Sequence, residues 1–429
     1  MAINPADVAW VLTSTALVML MTPALSFFYG GLVRKKNLVS TLVQCLIIFA
    51  VVSLIWFGWG YSLVYSSTSF YGIIGGLDLL GLNHLNINTT SIYAPTIPEA
   101  LFFAFQLKFA AITPALIIGA CAERIRFKSL LIFVALWSTF IYCPISHWVW
   151  NTDGWLHILG AYDFAGGIVV HIAAGLSALA AALVVGRRKD CIYWKDQLKS
   201  LDRQNAKAPP LGTEFKPTNI PYVILGAGLL WFGWFGFNGG SAFAADSIAV
   251  SAVVSTNLAA AAAAVSWMLV DWVTKGKPSA VGISVGAVCG MAAVTAAAGY
   301  INFSEAVLIG LVAGIVSNLI SNWRLGRSRI DDTLDVFACH GIGGIIGAIA
   351  VGLFANALIN PVVSGLFYGN PAQLGIQALA VVVIAVFAFV GSYLLLRLVD
   401  VFSPLRVSPE EEDAGLDLSQ HGEEAYQLD

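Results

Sequence analysis

Apolar stretches of about 20 residues, enough to cross a bilayer as helices, recur along the whole of this 429-residue chain. Inside hydrocarbon each backbone N–H and C=O must find its partner within the segment, so every such stretch is committed to helix. Composition agrees: 58% of the residues are hydrophobic and 11% charged. A soluble chain has about a quarter of its residues charged. The sequence therefore reads as an all-α integral membrane protein. Lipid is its first partner, and nucleic acid is not an expected one.

Eleven transmembrane spans are expected, at 7–30, 40–65, 98–120, 129–149, 163–185, 220–240, 248–272, 279–300, 305–323, 335–357 and 374–402. Basic residues stay on the cytoplasmic side. Arg34, Lys35 and Lys36 follow the first span, and Arg124, Arg126 and Lys128 the third. Eight more lie in 186–219 after the fifth, starting at Arg187. Lys275 and Lys277 follow the seventh, Arg324, Arg327 and Arg329 the ninth, and Arg397 and Arg406 flank the exit of the eleventh. Loops 66–97, 150–162, 241–247, 301–304 and 358–373 carry none. The pattern predicts an N-terminus outside and a C-terminus inside, with Lys108 alone off the basic side. No basic region or small-residue cleavage site marks the first span, so it is expected to remain as a helix. The 6 cysteines have no CxxC or pairing pattern and read as small apolar packing residues.

Segment 186–219 separates five spans from five more and a final helix. Five is odd, so the second set enters from the opposite side, the arithmetic of an inverted repeat. The first span ends Phe27-Phe28-Tyr29-Gly30-Gly31 and the sixth Gly236-Phe237-Asn238-Gly239-Gly240. The fifth and tenth each begin with an aspartate, Asp163 and Asp335, and carry a histidine, His171 and His340. At 1.5 Å per residue His171 lies about 12 Å along its helix from Asp163, and His340 about 7.5 Å from Asp335. Both are then near the middle of a core about 30 Å thick. An ionisable ring at that depth faces a polar pathway or a partner rather than lipid. Gly166, Gly167, Gly175, Gly341, Gly343, Gly344 and Gly347 crowd the same two spans and allow close helix approach.

Metal chemistry is a poor fit. A two-haem core needs four deep histidines, whereas the sequence offers two, and zinc lacks its further ligands. No cofactor is expected. Neutral imidazole both donates and accepts and titrates near neutrality, so two facing rings can pass a proton or line a narrow file. Asp163, at a helix start, caps N–H groups and also favours a nearby cation. Trp150, at the outer end of the fourth span, offers a ring face worth about 2 kcal/mol or more to a desolvated cation. Residues 403–429 form a separate acidic cytoplasmic tail after the 1–402 membrane domain. The tail is either a solvated end or, through Leu416, Leu418 and Tyr426, docked on the cytoplasmic face.

Several motifs are more specific. They are Phe-Tyr-Gly-Gly-Leu-Val-Arg-Lys-Lys-Asn (28–37), Ala-Glu-Arg-Ile-Arg-Phe (122–127), Asp-Phe-Ala-Gly-Gly with His171, Trp-Phe-Gly-Phe-Asn-Gly-Gly-Ser (234–241), Asp-Val-Phe-Ala-Cys-His-Gly (335–341) and the tail. Together they resemble the ammonium transporter (Amt/Mep/Rh) family, in its Amt branch, over the whole chain. The resemblance implies a homotrimer in the plasma or inner membrane, each subunit with its own pore, and no enzymatic activity. It implies an external ammonium site at Trp150, Ser241 and Phe109 with Asp163 as the nearby acid. It further implies a phenyl gate of Phe109 and Phe237, twin pore histidines His171 and His340, and Asp335 as the structural inner counterpart of Asp163. Methylammonium is the expected substrate analogue, and a PII-type regulatory protein the expected cytoplasmic partner. Two departures stand out: Lys108 beside Phe109, and Ala296 where the family has proline, which puts a local kink in doubt. An ammonium sensor relaying occupancy through the tail is the alternative, and a conduit for another small neutral molecule such as carbon dioxide a third.

Overall fold

The computed structural model describes residues 2–189, 216–328 and 330–426. Most of the basic 186–219 segment, with Cys191, and Arg329 lie outside the described residues. Ten described helices are long and apolar enough to cross a membrane, and an eleventh, Ala280–Val294, is apolar but has 15 residues. In chain order they are α1 Pro5–Leu32, α2 Lys35–Tyr65, α3 Glu99–Cys121, α4 (127–150), α5 Gly167–Val185, α6 Ile220–Gly240, α7 Ser247–Lys275, α8 Ala280–Val294, α9 Phe303–Arg327, α10 Phe337–Phe354 and α11 Ala372–Phe402.

Two helix pairs related by the expected repeat pack antiparallel, each through glycine. Along α1–α6, Asn219 N donates to Gly31 O at one end and Trp10 Nε1 to Gly239 O at the other. Between them a Cβ on Gly226 would meet the Phe28 backbone and one on Gly236 would meet Leu17 and Ser14. Along α5–α10, a Cβ on Gly175 would strike the Gly341 backbone, and one on Gly344 would lie 2.6 Å from Gly167 O. Hydrocarbon supplies no hydrophobic force between helices, so contact this close is what makes packing favourable.

Most boundaries shift by a few residues from the sequence-based spans, and three of the shifts have a clear physical reason. Helix α5 starts at Gly167 because Asp163, four residues earlier, sits outside as its cap. Helix α10 starts at Phe337 for the same reason, with Asp332 in the capping role. Helix α8 ends at Val294, and tight turns from Val294 O to Ala297 N and from Ala297 O to Tyr300 N replace its last expected turns. The local break therefore forms without proline. Ala296 keeps its carbonyl free of the helix and accepts from Phe164 N at 3.0 Å.

Loop 66–97 folds as two short hairpins, β1 Ser69–Phe70 with β2 Ile74–Gly75 and β3 Thr90–Ser91 with β4 Ala94–Pro98. At the opposite, basic end the tail is docked rather than loose. Asp417 accepts from Val39 N and Ser40 N at 3.0 and 2.8 Å, capping the start of the regular turns of α2. Leu416 N donates to Asn37 Oδ1, Leu416 and Glu412 are buried, and Glu412 pairs with Arg406 at 2.6 Å. Beneath the tail, Glu123 bridges Arg34 and Arg188 at 3.0 and 2.9 Å, and Arg188 reaches Asp331 at 2.9 Å. Burial alone would raise the Glu123 carboxyl, but the Arg188 and Arg34 guanidiniums hold it at about 2.

Candidate functional site

At the end away from the tail, a cavity of about 500 Å³ opens among α2, α3, α4, α7 and the loops around them. Trp150, Phe109, Asp163 and Ser241, four of the expected site residues, line it. Helix α4 ends at Trp150, whose Nε1 donates to Asp163 O at 3.0 Å and so fixes the indole over the cavity floor. Ser241 follows the last turn of α6. Its hydroxyl donates to Phe237 O at 2.8 Å, which leaves the oxygen lone pairs as acceptors.

Asp163 is buried, and its carboxylate is fully used locally. Oδ1 accepts from Gly166 N at 2.9 Å and Oδ2 from Ile168 N and Val169 N at 2.8 and 2.9 Å. Four N–H groups at a helix start have no intrahelical partner, and Asp163 satisfies the first of them. It acts as a cap, and its charge still faces the cavity at short range.

Phe109 closes the floor. Its ring meets Trp150 edge-on at 5.9 Å and Phe237 at 4.2 Å, with both phenyls buried. Below them the space narrows to a void of about 10 Å³ lined by Met21, Leu25, Ile112, Leu116, Trp234 and the two histidines, room for about one water-sized molecule. His171 Nδ1 and His340 Nδ1 lie 3.2 Å apart, with ring centroids at 5.2 Å and planes 22° apart. One ring therefore donates and the other accepts through a single hydrogen. His171 Nε2 has no partner among the described residues.

Each histidine sits on a wide, π-helical turn, Gly167–Ile172 in α5 and Phe337–Gly341 in α10. Such turns add a residue to the helical circuit and recur at functional sites. The two turns share a further detail. Asp332 accepts from Val336 N and Phe337 N at 3.1 and 2.8 Å, and His340 follows it by eight residues, as His171 follows Asp163. Asp332, not Asp335, is thus the counterpart of Asp163. Asp335 takes up a left-handed backbone (φ 58°) and pairs with Arg324 at 2.8 Å.

Lys108 does not line the cavity. Its ammonium lies 5.1 Å over the Phe49 ring of α2. Three contributors escaped the sequence. Trp234 stacks on His171 at 5.4 Å with Nε1 held by Thr295 Oγ1. Gln106, three residues before Phe109, lies at the cavity wall. Asp332 is the third. A lone amide in an apolar span and a repeated eight-residue offset were the available signals.

Comparison with known proteins agrees with this geometry. The family profile for the Ammonium Transporter Family matches residues 9–426. The chain is 44% identical to ammonium transporter Amt1 of Archaeoglobus fulgidus, covering 98% of this chain and 99% of that one. It is 42% identical to an ammonium transporter of Bacillus subtilis, over 98% of both. Saccharomyces cerevisiae Mep2 superposes with a TM-score of 0.85 at 35% identity, over 95% of this chain and 88% of that one. A structure described as a sensor Amt protein superposes at 0.84 and 31% identity, over 97% and 98%. A multi-pass membrane protein and not an enzyme, the chain belongs to the Ammonium Transporter Family.

Proposed function

We propose that the protein recruits ammonium from outside the cell into the aromatic cavity, strips its proton there, the proton passing either back to external water or along the histidine pair, and conducts ammonia past the twin histidines to the cytoplasm. The basic, tail-bearing end is then the cytoplasmic one, as the retention of Lys and Arg on that side requires. Trp150 and Phe109 offer aromatic faces to the cation, Ser241 an oxygen acceptor, and the Asp163 carboxylate a favourable field. Below this site no carboxylate lines the void, and an unpaired ion in such surroundings costs far more than a ring face or a neutral imidazole returns. Potassium, like ammonium in charge, has no proton to leave behind. Neutral ammonia passes because the histidine pair supplies one donor and one acceptor in an otherwise apolar file.

One observation carries this reading: a closed phenyl pair separates a roomy aromatic vestibule from a histidine-lined void one small molecule wide. Uptake of methylammonium into proteoliposomes tests it, comparing wild type with His171→Ala and His340→Ala for rate and for discrimination against potassium. The alanine variants are expected to lose rate or selectivity; wild-type rate together with wild-type selectivity in both would overturn the role of the rings. Currents recorded on ammonium pulses test whether the proton follows through the pair. A silent membrane with full ammonia flux rules that out. The proposed assembly is a homotrimer, each subunit conducting alone, with a PII-type protein meeting the tail face.

A sensor is the second reading, favoured by the likeness to a sensor Amt protein and by the tightly docked tail. Flux separates the two: a sensor binds ammonium without sustained uptake.

A further inference from the structure

Gln106 carries a buried amide oxygen that nothing among the described residues satisfies. The residue is 6% exposed, lines the aromatic cavity, and its Oε1 has no hydrogen-bond partner there. Three polar groups at the floor are engaged: Ser241 Oγ donates to Phe237 O, Trp150 Nε1 donates to Asp163 O, and both Asp163 oxygens accept backbone N–H, while the Tyr65 hydroxyl, which also lines the cavity, has no partner among the described residues. Buried amides are hydrogen-bonded with few exceptions, and each exception asks for an explanation. Packing does not supply one, because a leucine or methionine fills this apolar wall without an orphaned oxygen. On helix α3, Gln106 and the gate phenyl Phe109 are three residues apart and so share a face. The amide therefore stands directly above the gate, on the same wall.

We infer that Gln106 is a specificity-determining residue whose amide oxygen accepts an N–H of the bound ammonium, completing with Ser241 Oγ a neutral acceptor pair opposite the aromatic faces. A half-turn about its last bond exchanges amide oxygen and nitrogen, so the oxygen can face the cavity when a cation arrives. Neutral acceptors suit a site that must release what it binds: a second ionised carboxylate would hold the ion and oppose loss of its proton. The preference is for cations with N–H donors: amide oxygens coordinate potassium too, but two acceptors replace only part of its hydration shell, and potassium has no proton to leave behind.

This inference rests on the transport reading above, and one experiment separates the two. Initial rates of labelled methylammonium uptake are measured over a concentration series in proteoliposomes of the full chain. Gln106→Met keeps length and packing but removes the acceptor; its KM is expected to rise roughly tenfold, the scale of one hydrogen bond to a charged group. The maximal rate should stay within about twofold. Gln106→Glu, which restores an acceptor, should return KM to the wild-type value or below it, whereas a purely structural amide would be disturbed equally by both changes. Should the methionine variant fail to fold, Gln106→Asn withdraws the amide by one methylene and carries the same expected KM rise. An unchanged KM in Gln106→Met, or equal rises in the methionine and glutamate variants, overturns the inference while leaving transport intact. A wild-type protein without saturable uptake overturns the transport reading and this inference with it.

Discussion

The two halves of the repeat build the same turn in different surroundings. Asp163 and Asp332 each cap the start of a π-helical turn eight residues before a pore histidine. Asp163 opens onto an aromatic cavity and engages only backbone N–H groups. Asp332 adjoins a lattice of charge in which Asp335–Arg324, Asp331–Arg188 and Glu123–Arg34 are locked together beneath the tail. One motif thus supplies a site at the open end and an anchor at the other. What differs is not the helix but what the cap can still offer once its N–H groups are satisfied.

The anchor half gives the largest expected effect. Glu123→Ala leaves Arg34 and Arg188 facing each other in a buried pocket, and breaking a buried pair from one side costs about 3–5 kcal/mol. The variant should lose tail docking, seen as rapid proteolysis after residue 402, while a protected tail would show that Glu123 is not the keystone. The same group sets a pH dependence. Its folded value of about 2 lies below the ordinary 4.5, so its contribution is present above pH 4.5 and drains away as pH falls from 4.5 toward 2. Thermal unfolding in detergent should be insensitive to this group from pH 8 to 5 and weaken below 4.5; in Glu123→Gln that acid-side slope should flatten.

The seam between the halves comes next. Gly175→Ala forces a methyl into the Gly341 backbone, and overpacking of this kind costs about 1–3 kcal/mol. The strain falls beside His340, so the rings should part and methylammonium uptake should drop at least tenfold. Gly228→Ala, on α6 with open space around its Cβ position, is the control and should leave uptake unchanged.

The caps then break the symmetry directly. Asp163→Ala and Asp332→Ala each remove a cap, worth about 1–2 kcal/mol. If the cavity is the cation site, the first variant also raises the methylammonium KM or abolishes uptake, and the second changes KM less than twofold. Equal kinetic effects would show that Asp163 is a cap and nothing more.

These contrasts also mark what the sequence could carry. Hydropathy located the ten long apolar helices and the shorter Ala280–Val294, because apolar length is a direct physical requirement of the bilayer. The histidine pair was legible for the same reason: a buried ring is costly and therefore conspicuous. Asp332 was not, because it stands with Asp331 and Asp335 in one acidic stretch, and only the wide turn at Phe337–Gly341 shows which acid reaches the N–H groups. The early end of α8 was hidden too, since the run Ala296-Ala297-Ala298 just past it is made of the strongest helix former. The break comes from packing, with Phe164 N donating to Ala296 O. Asn302 and Glu305, by contrast, form the capping box that starts α9, a signal wholly local in the chain.

Lys108 yields the smallest expected effect, and it tests the comparison from its flank. It stands one residue from the gate phenyl Phe109, so a charge there would oppose ammonium if it faced the cavity. One residue along a helix turns the side chain by about 100°, and here that turn directs the ammonium to the Phe49 ring at 5.1 Å, away from the vestibule. A half-exposed contact of this kind is worth about 0.5–1 kcal/mol. Lys108→Met should therefore shift stability by no more than that and leave the methylammonium KM within twofold. A KM that falls several-fold would place the charge in the ion's path, and with it redraw which wall of α3 faces the substrate.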